Sequence, residues 1–478
     1  MGQNNPMPKG FGWRGWMLMI YQMIAYIGYV AFTSYPVNVL SSQVGGTTVT
    51  TFITMVGSLL SFIITYFIVA PRIGRIRNQK ALSLLFGIIS MAVGTLIIVI
   101  PADTMRVLWC IVFGCGLLTF PLWANTMTTI LIGNWFPRKK GTVMGIVTLS
   151  YPLASAICLS LFTGAHGAKL AETGSVVKAN ITAWLPFYIA CIVGLIICAV
   201  FVKTYPEDCG CFRDNDKSFT KEKADEMLAL ELENRKKSVW KRSKIWGCAQ
   251  WWFAIIPTNI IMLTAVAFMV QIVPALISFN DKFTIFAIPG FKLMSMGFTS
   301  VLFMMGIVAM IGSYVLGLLD TKFGTKKAIF ITSIIMTICG ILGAIDNAWT
   351  IFAATMLLGV FMGAGSNFGF SALVRYWRPE DFPAVYTGAP PLNTVMNAVF
   401  PYIFAAIGAQ ALGYHGTFIF VAVLGVISIV LNSLFNPKKL ADYDAKLRAE
   451  AGLPVDNVLY DRVGMEERAI AAKKAAKK

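Results

Sequence analysis

Long apolar runs alternate with short polar connections along most of the chain. No Asp, Glu, Lys or Arg occurs between Arg14 and Arg72, between Arg106 and Arg138, between Lys244 and Asp281, or between Asp381 and Lys438. A bilayer core takes about 20 apolar residues per helix. Runs of that kind lie at roughly 16–40, 48–70, 81–101, 107–133, 141–165, 181–202, 247–278, 292–319, 328–345, 348–374, 383–410 and 415–436. The pattern predicts an all-α membrane protein with twelve transmembrane helices. A chain that is 57% hydrophobic and 13% charged fits this and does not fit a soluble domain.

The connections carry the charge. The loops near 71–80, 134–140, 203–246, 320–327 and 375–382, with the two tails, hold 35 of the 40 Lys and Arg residues. Only Arg106, Lys169, Lys178, Lys282 and Lys292 fall on the other side. This bias predicts a multi-pass cell-membrane protein with both termini in the cytoplasm and an even number of spans. The net charge of +17 is confined to these loops, which argues against a nucleic-acid partner. Seven of the nine cysteines sit in apolar runs; Cys209 and Cys211 form a lone pair, too few for a zinc site. MGQNNPMPKGFGWRGW lacks a small-residue cleavage site after a short apolar core and reads as a tail leading into the first span.

Two features recur. Trp135-Phe136-Pro137 stands 242 residues before Trp377-Arg378-Pro379. PRIGRIRNQK after span 2 is matched by DTKFGTKK after span 8, with Gly74 and Gly324 250 apart. Matching loops predict two six-helix pseudo-symmetric bundles. The expected domains are a tail at 1–15, a bundle at 16–202, a linker at 203–246, a bundle at 247–436 and a tail at 437–478. TKEKADEMLALELENRKKSVW in the linker reads as an amphipathic helix. The tail from Lys438 alternates charge and Ala and is expected in solvent or on anionic headgroups.

At these loops the chain resembles the major facilitator superfamily. GLLDTKFGTKK is similar to its loop motif, filled here by Gly317, Asp320, Lys322, Gly324 and Lys326. The first copy keeps Arg72, Gly74 and Arg75, with Pro71 at the acidic position. The resemblance implies the major facilitator fold and a gating role for these residues. NWFPRKKGTVMGI is similar to the start of span 5 in the oxalate/formate antiporter and monocarboxylate porter branches. Cys110 stands where the drug/proton antiporters carry an Arg, and spans 8 and 11 lack the cations of the oxalate branch.

The span interiors hold neutral polar groups. Charged residues at depth are costly and mark ion pathways; their absence argues against a buried carboxylate relay. Tyr26 and Tyr29 are i, i+3 neighbours in span 1, and Asn393 and Asn397 are i, i+4 neighbours in span 11. The resemblance places spans 1, 4, 7 and 10, with parts of 5, 8 and 11, around a central cavity. The candidate substrate ligands are therefore Tyr26, Tyr29, Asn125, Tyr151, Asn259, Asn367, Asn393 and Asn397, set against the plainer reading that such groups bond helices together. Asp320 is expected to cap a helix start or pair with a cation. Arg375, Glu380 and Asp381 are expected to form a cluster at the cytoplasmic interface.

The expected function is secondary active transport by alternating access. The substrate is a small molecule, a monocarboxylate or related organic anion by resemblance; a facilitated-diffusion carrier of a neutral polar solute is the alternative. A non-transporting receptor or a membrane enzyme are further readings, and the spans lack the paired catalytic groups of an enzyme. No cofactor or metal is expected. The expected partners are the lipid bilayer and a coupling proton or counter-solute, with the chain a monomer.

Overall fold

The computed structural model describes residues 10–38, 47–64, 67–68, 76–136, 139–154, 159–218, 220–236, 238–279, 298–378, 381–386, 388–406 and 412–455. Helices occupy all twelve predicted positions. Spans 1 to 4 are Trp13–Asn38, Thr47–Ile64, Gln79–Val99 and Arg106–Trp135. Span 5 comprises Lys140–Val147, Ser150–Pro152 and Leu159–Thr173, and span 6 is Val176–Phe201. Spans 7 to 10 are Ala249–Ser278, Phe298–Phe323, Thr325–Ala344 and Ala348–Tyr376. Spans 11 and 12 are Ala389–Ala406 and Gly413–Leu434. Among the described residues eight helices are long and apolar enough to cross a membrane. The linker helix is Lys221–Lys236.

Two departures have local causes. The run predicted as 383–410 contains a short helix, Phe382–Tyr386, before span 11 begins at Ala389. Gly388, Pro390 and Pro391 lie at this junction. Glycine relaxes the backbone there, and prolines disfavour a helical residue before them. Span 5 continues to Thr173, beyond the predicted 165, and takes His166 into the helix. At the extended end Lys169 and Glu172 form an i, i+3 ion pair (2.8 Å).

Small residues set the tightest helix contacts. A Cβ on Gly340 of span 9 would lie 2.3 Å from the Ala422 nitrogen of span 12. One on Gly359 of span 10 would lie 2.6 Å from the Met305 carbonyl of span 8. Close approach is thus the role of Gly359. The repeat also shows in side chains. Lys80, second residue of span 3, donates to the Ala199 carbonyl near the end of span 6 (2.6 Å). Lys326, second residue of span 9, donates to the Phe435 carbonyl at the end of span 12 (2.6 Å).

On the basic face the connections form two fastened clusters. In the first half the Lys139 ammonium donates to the carbonyls of Asp214 (2.7 Å) and Gly10, and lies over the Phe11 ring (5.4 Å). The Lys139 amide donates to the Asp214 carboxylate (2.9 Å). In the second half a helix at Pro437–Glu450 packs against the end of the linker. Its Asp444 accepts from Trp240 Nε1 (2.8 Å), Arg378 Nε (3.3 Å) and Arg448 Nε (3.1 Å). Arg448 also reaches Asp381 (2.9 Å), which accepts from the Ser238 hydroxyl (2.6 Å). The expectation of a solvated tail is corrected here for 437–450: Leu440, Ala441, Asp444 and Leu447 are buried. Asp381 belongs to this cluster; Glu380 lies outside the described residues.

Candidate functional site

The first-half site grows from spans 1, 4 and 5. Tyr26 and Tyr29 fall on one face of span 1, and Tyr151 meets both rings edge-on, with centroids 5.6 and 6.4 Å away. All three are buried. The Asn125 and Tyr151 side chains lie beside the Tyr29 hydroxyl. One turn before Tyr26, the Gln22 amide donates to Thr129 Oγ1 (2.9 Å) and to the Tyr26 hydroxyl (3.3 Å). The Gln22 carbonyl oxygen is buried and meets no hydrogen-bond partner among the described residues.

Span 4 is irregular where it meets this cluster. Proline has no amide hydrogen to give to the helix ladder, and after Pro121 the turn widens into a π-helix over Leu122–Met127. Turns of this kind recur at functional sites. Trp123 fixes the inner side of the turn: its Nε1 donates to the Tyr21 hydroxyl (2.6 Å), which shares a hydrogen bond with Ser83 (2.7 Å). The Ala124 carbonyl accepts from the Thr128 hydroxyl. The Asn125 carbonyl accepts from a residue of the other half, the Tyr386 hydroxyl (3.1 Å).

The second-half site lies between spans 7 and 11. Asn393 donates from Nδ2 to the Met262 sulfur (3.5 Å). Asn259, three residues before Met262, lies on the same side of span 7. Asn259 Nδ2 and Asn393 Oδ1 are buried and meet no hydrogen-bond partner among the described residues. Leaving such a group unpaired costs about 1–3 kcal/mol. The site therefore offers one free donor and one free acceptor on two packed helices.

The structure thus brings Tyr26, Tyr29, Asn125 and Tyr151 together in one half, and Asn259 and Asn393 in the other. The side chains of Asn367 and Asn397 lie outside the described residues, as do Arg72, Gly74, Arg75 and the Lys322 side chain. Asp320 accepts from the Thr325 hydroxyl (2.6 Å) at the start of span 9, but the N-cap of that helix is Gly324 and no side chain bonds its first amides, so Asp320 is not the cap. Gly324, at φ +89, makes the turn between spans 8 and 9. Gly317 lies in span 8. Asp320 and Lys326 bond to spans 9 and 12 of their own half. Sequence reading missed Tyr386, Gln22 and Thr129 as site residues. Only the Gly-Ala-Pro-Pro break just after Tyr386 marks it in the sequence.

The family model described as Major Facilitator Superfamily matches residues 272–455. The fold is similar to that of the proton:xylose symporter XylE bound to 6-bromo-6-deoxy-D-glucose. The TM-score is 0.64 at 11% identity, over 88% of this chain and 96% of that one. XylE from E. coli in a partially occluded inward-open conformation gives 0.61 at 12%, over 88% and 96%. The human organic anion transporter MFSD10 (TETRAN) gives 0.56 at 11%, over 88% and 100%. No curated protein matches the sequence. At such identities the likeness establishes the fold: twelve helices in two bundles, as in the major facilitator superfamily.

Proposed function

We propose that this protein is a secondary transporter that binds a small, uncharged polar solute between its two halves and moves it by alternating access. The observation that carries the reading is the polar, uncharged character of the site. Tyrosine hydroxyls and Asn125 lie on one side, and Asn259 and Asn393 keep a donor and an acceptor unmet among the described residues on the other. A solute with both a donor and an acceptor, such as a polyol or primary amide, meets both needs. Ground-state charge on the solute would go unanswered, because the described charged residues lie at the ends of the spans and in the segments outside them.

A monocarboxylate is the second reading, favoured by NWFPRKKGTVMGI at the start of span 5. In this site it would bind as the protonated acid and carry its own proton. The two readings separate in proteoliposomes tested with radiolabelled polyols, amides and monocarboxylates, by uptake and counterflow. Neutral-solute uptake should be flat between pH 6 and 8. Acid uptake at fixed total concentration should fall about tenfold per pH unit above the acid's own pKa. Failure of every solute to show counterflow overturns the carrier reading.

A further inference from the structure

The Tyr386 hydroxyl reaches across the interface between the halves to the Asn125 carbonyl (3.1 Å). That carbonyl lies in the π turn that follows Pro121. The side chain of the same residue lies beside Tyr29, and four residues on Thr129 accepts from Gln22, which also bonds Tyr26 in the candidate solute site. One residue thus borders the solute site with its side chain and bonds the opposite half with its backbone. We propose that Tyr386 is the closing contact of the basic-face gate, and that Asn125 is the positioning residue that links this gate to the solute site.

The surroundings fit a switch that can open without dismantling either half. The Tyr386 ring packs on Met127 and Ile130 of span 4. On its own side it stacks with Phe382 (5.3 Å) and meets Phe370 edge-on (5.7 Å). The ring is therefore held by the second half whether or not its hydroxyl is bonded. The inner side of the π turn is fixed separately, by Trp123, Tyr21 and Ser83. Between these supports the hydroxyl-to-carbonyl bond is a polar contact to be broken. A single hydrogen bond of this kind shifts an equilibrium roughly two- to tenfold. That is enough to bias a gate and too little to lock it. A solute that competes for the Tyr29 hydroxyl or the Asn125 amide would move the Asn125 peptide and so bear on the bond to Tyr386.

The proposal rests on the transporter reading, but its test needs no solute. Ile130→Cys places a thiol under Tyr386, on the basic-face side of Asn125. The full-length protein in nanodiscs exposes both faces to sulfonatoethyl methanethiosulfonate, which does not enter lipid. Peptide mass spectrometry reads modification at this position alone. Adding Tyr386→Phe should raise the labelling rate roughly two- to tenfold; an unchanged rate overturns the gate. Adding Tyr29→Phe instead should also raise it, by a smaller factor. A rise with Tyr386→Phe and none with Tyr29→Phe overturns the link through Asn125. Flux in proteoliposomes tests the transporter reading independently: if no solute is carried by the wild type, that reading falls, and the labelling still decides the gate.

Discussion

Lys139 and Asp381 occupy the same position of the two repeated loops, 242 residues apart, and carry opposite charges. Both are buried, and each is held by a segment from outside the spans. Lys139 is held by Asp214 of the early linker and Gly10 of the N-terminal segment. Asp381 is held by Ser238 of the late linker and Arg448 of the C-terminal helix. The duplicated loop has kept the fastening and exchanged its sign.

Removing one side of a buried pair leaves the other uncompensated, at a cost on the order of 3 kcal/mol. Asp381→Ala should therefore loosen the C-terminal helix and the linker end together. Trypsin cleavage at Lys241, Arg242 and Lys446 should accelerate at least severalfold over wild type, while Glu222→Ala on the linker helix should leave those sites unchanged. Equal cleavage in Asp381→Ala and wild type would show that Asp381 does not hold the cluster.

Asn393 separates a binding role from a structural one. Its Oδ1 is buried without a partner among the described residues, so it contributes nothing to stability as it stands. Asn393→Ala should leave thermal stability in detergent within about 1 kcal/mol of wild type, or raise it. Apparent solute affinity should fall roughly tenfold, equivalent to about 1.4 kcal/mol. A destabilised variant with normal affinity would make Asn393 a packing residue.

Asp320 accepts from the Thr325 hydroxyl where span 9 begins. Asparagine can accept the same bond. Asp320→Asn should therefore transport within about twofold of wild type, whereas Asp320→Ala should lose about 1 kcal/mol of stability, as loss of one buried hydrogen bond does. Strong inhibition by Asp320→Asn alone would mean that the charge itself works in gating.

Burial and the neighbouring Cys209 push the Cys211 thiol up to about 11. An unfolded cysteine ionises at about 8.5. Iodoacetamide should thus label Cys211 slowly at pH 7.5, with the rate rising about tenfold per pH unit toward 11; unfolding in detergent should abolish the protection. The folded-state thiol pKa is the raised one. Its contribution to stability is therefore intact below about pH 8.5 and lost as pH rises toward 11. A native labelling rate equal to the unfolded one would refute the burial.

The fold can be drawn from the chain because its two strongest signals are local. Uncharged runs of about 20 residues fix the helices, and the cations between them fix the faces. The tyrosine and asparagine positions in spans 1, 4, 5, 7 and 11 were legible for the same reason: polar groups stand out in apolar runs. Contacts between distant segments leave no such mark. Asp444 looks like a solvent residue in an alternating tail, and its burial depends on Arg378 and Trp240, far away in sequence. Tyr386 has the same character. Its local sequence shows a tyrosine before a Gly-Pro break, and its bonding partner lies 261 residues earlier.

The linker is attached at both ends, at Asp214 to the first half and at Ser238 to the second. The 16-residue helix between them is about 24 Å long. A tether of fixed contour sets an outer limit on how far its attachment points can part. Here those points are the two repeated loops, so under the proposed alternating access the sweep of one bundle against the other on this face ends where the tether draws taut. Travel of the proposed carrier is then written partly in the length of the linker.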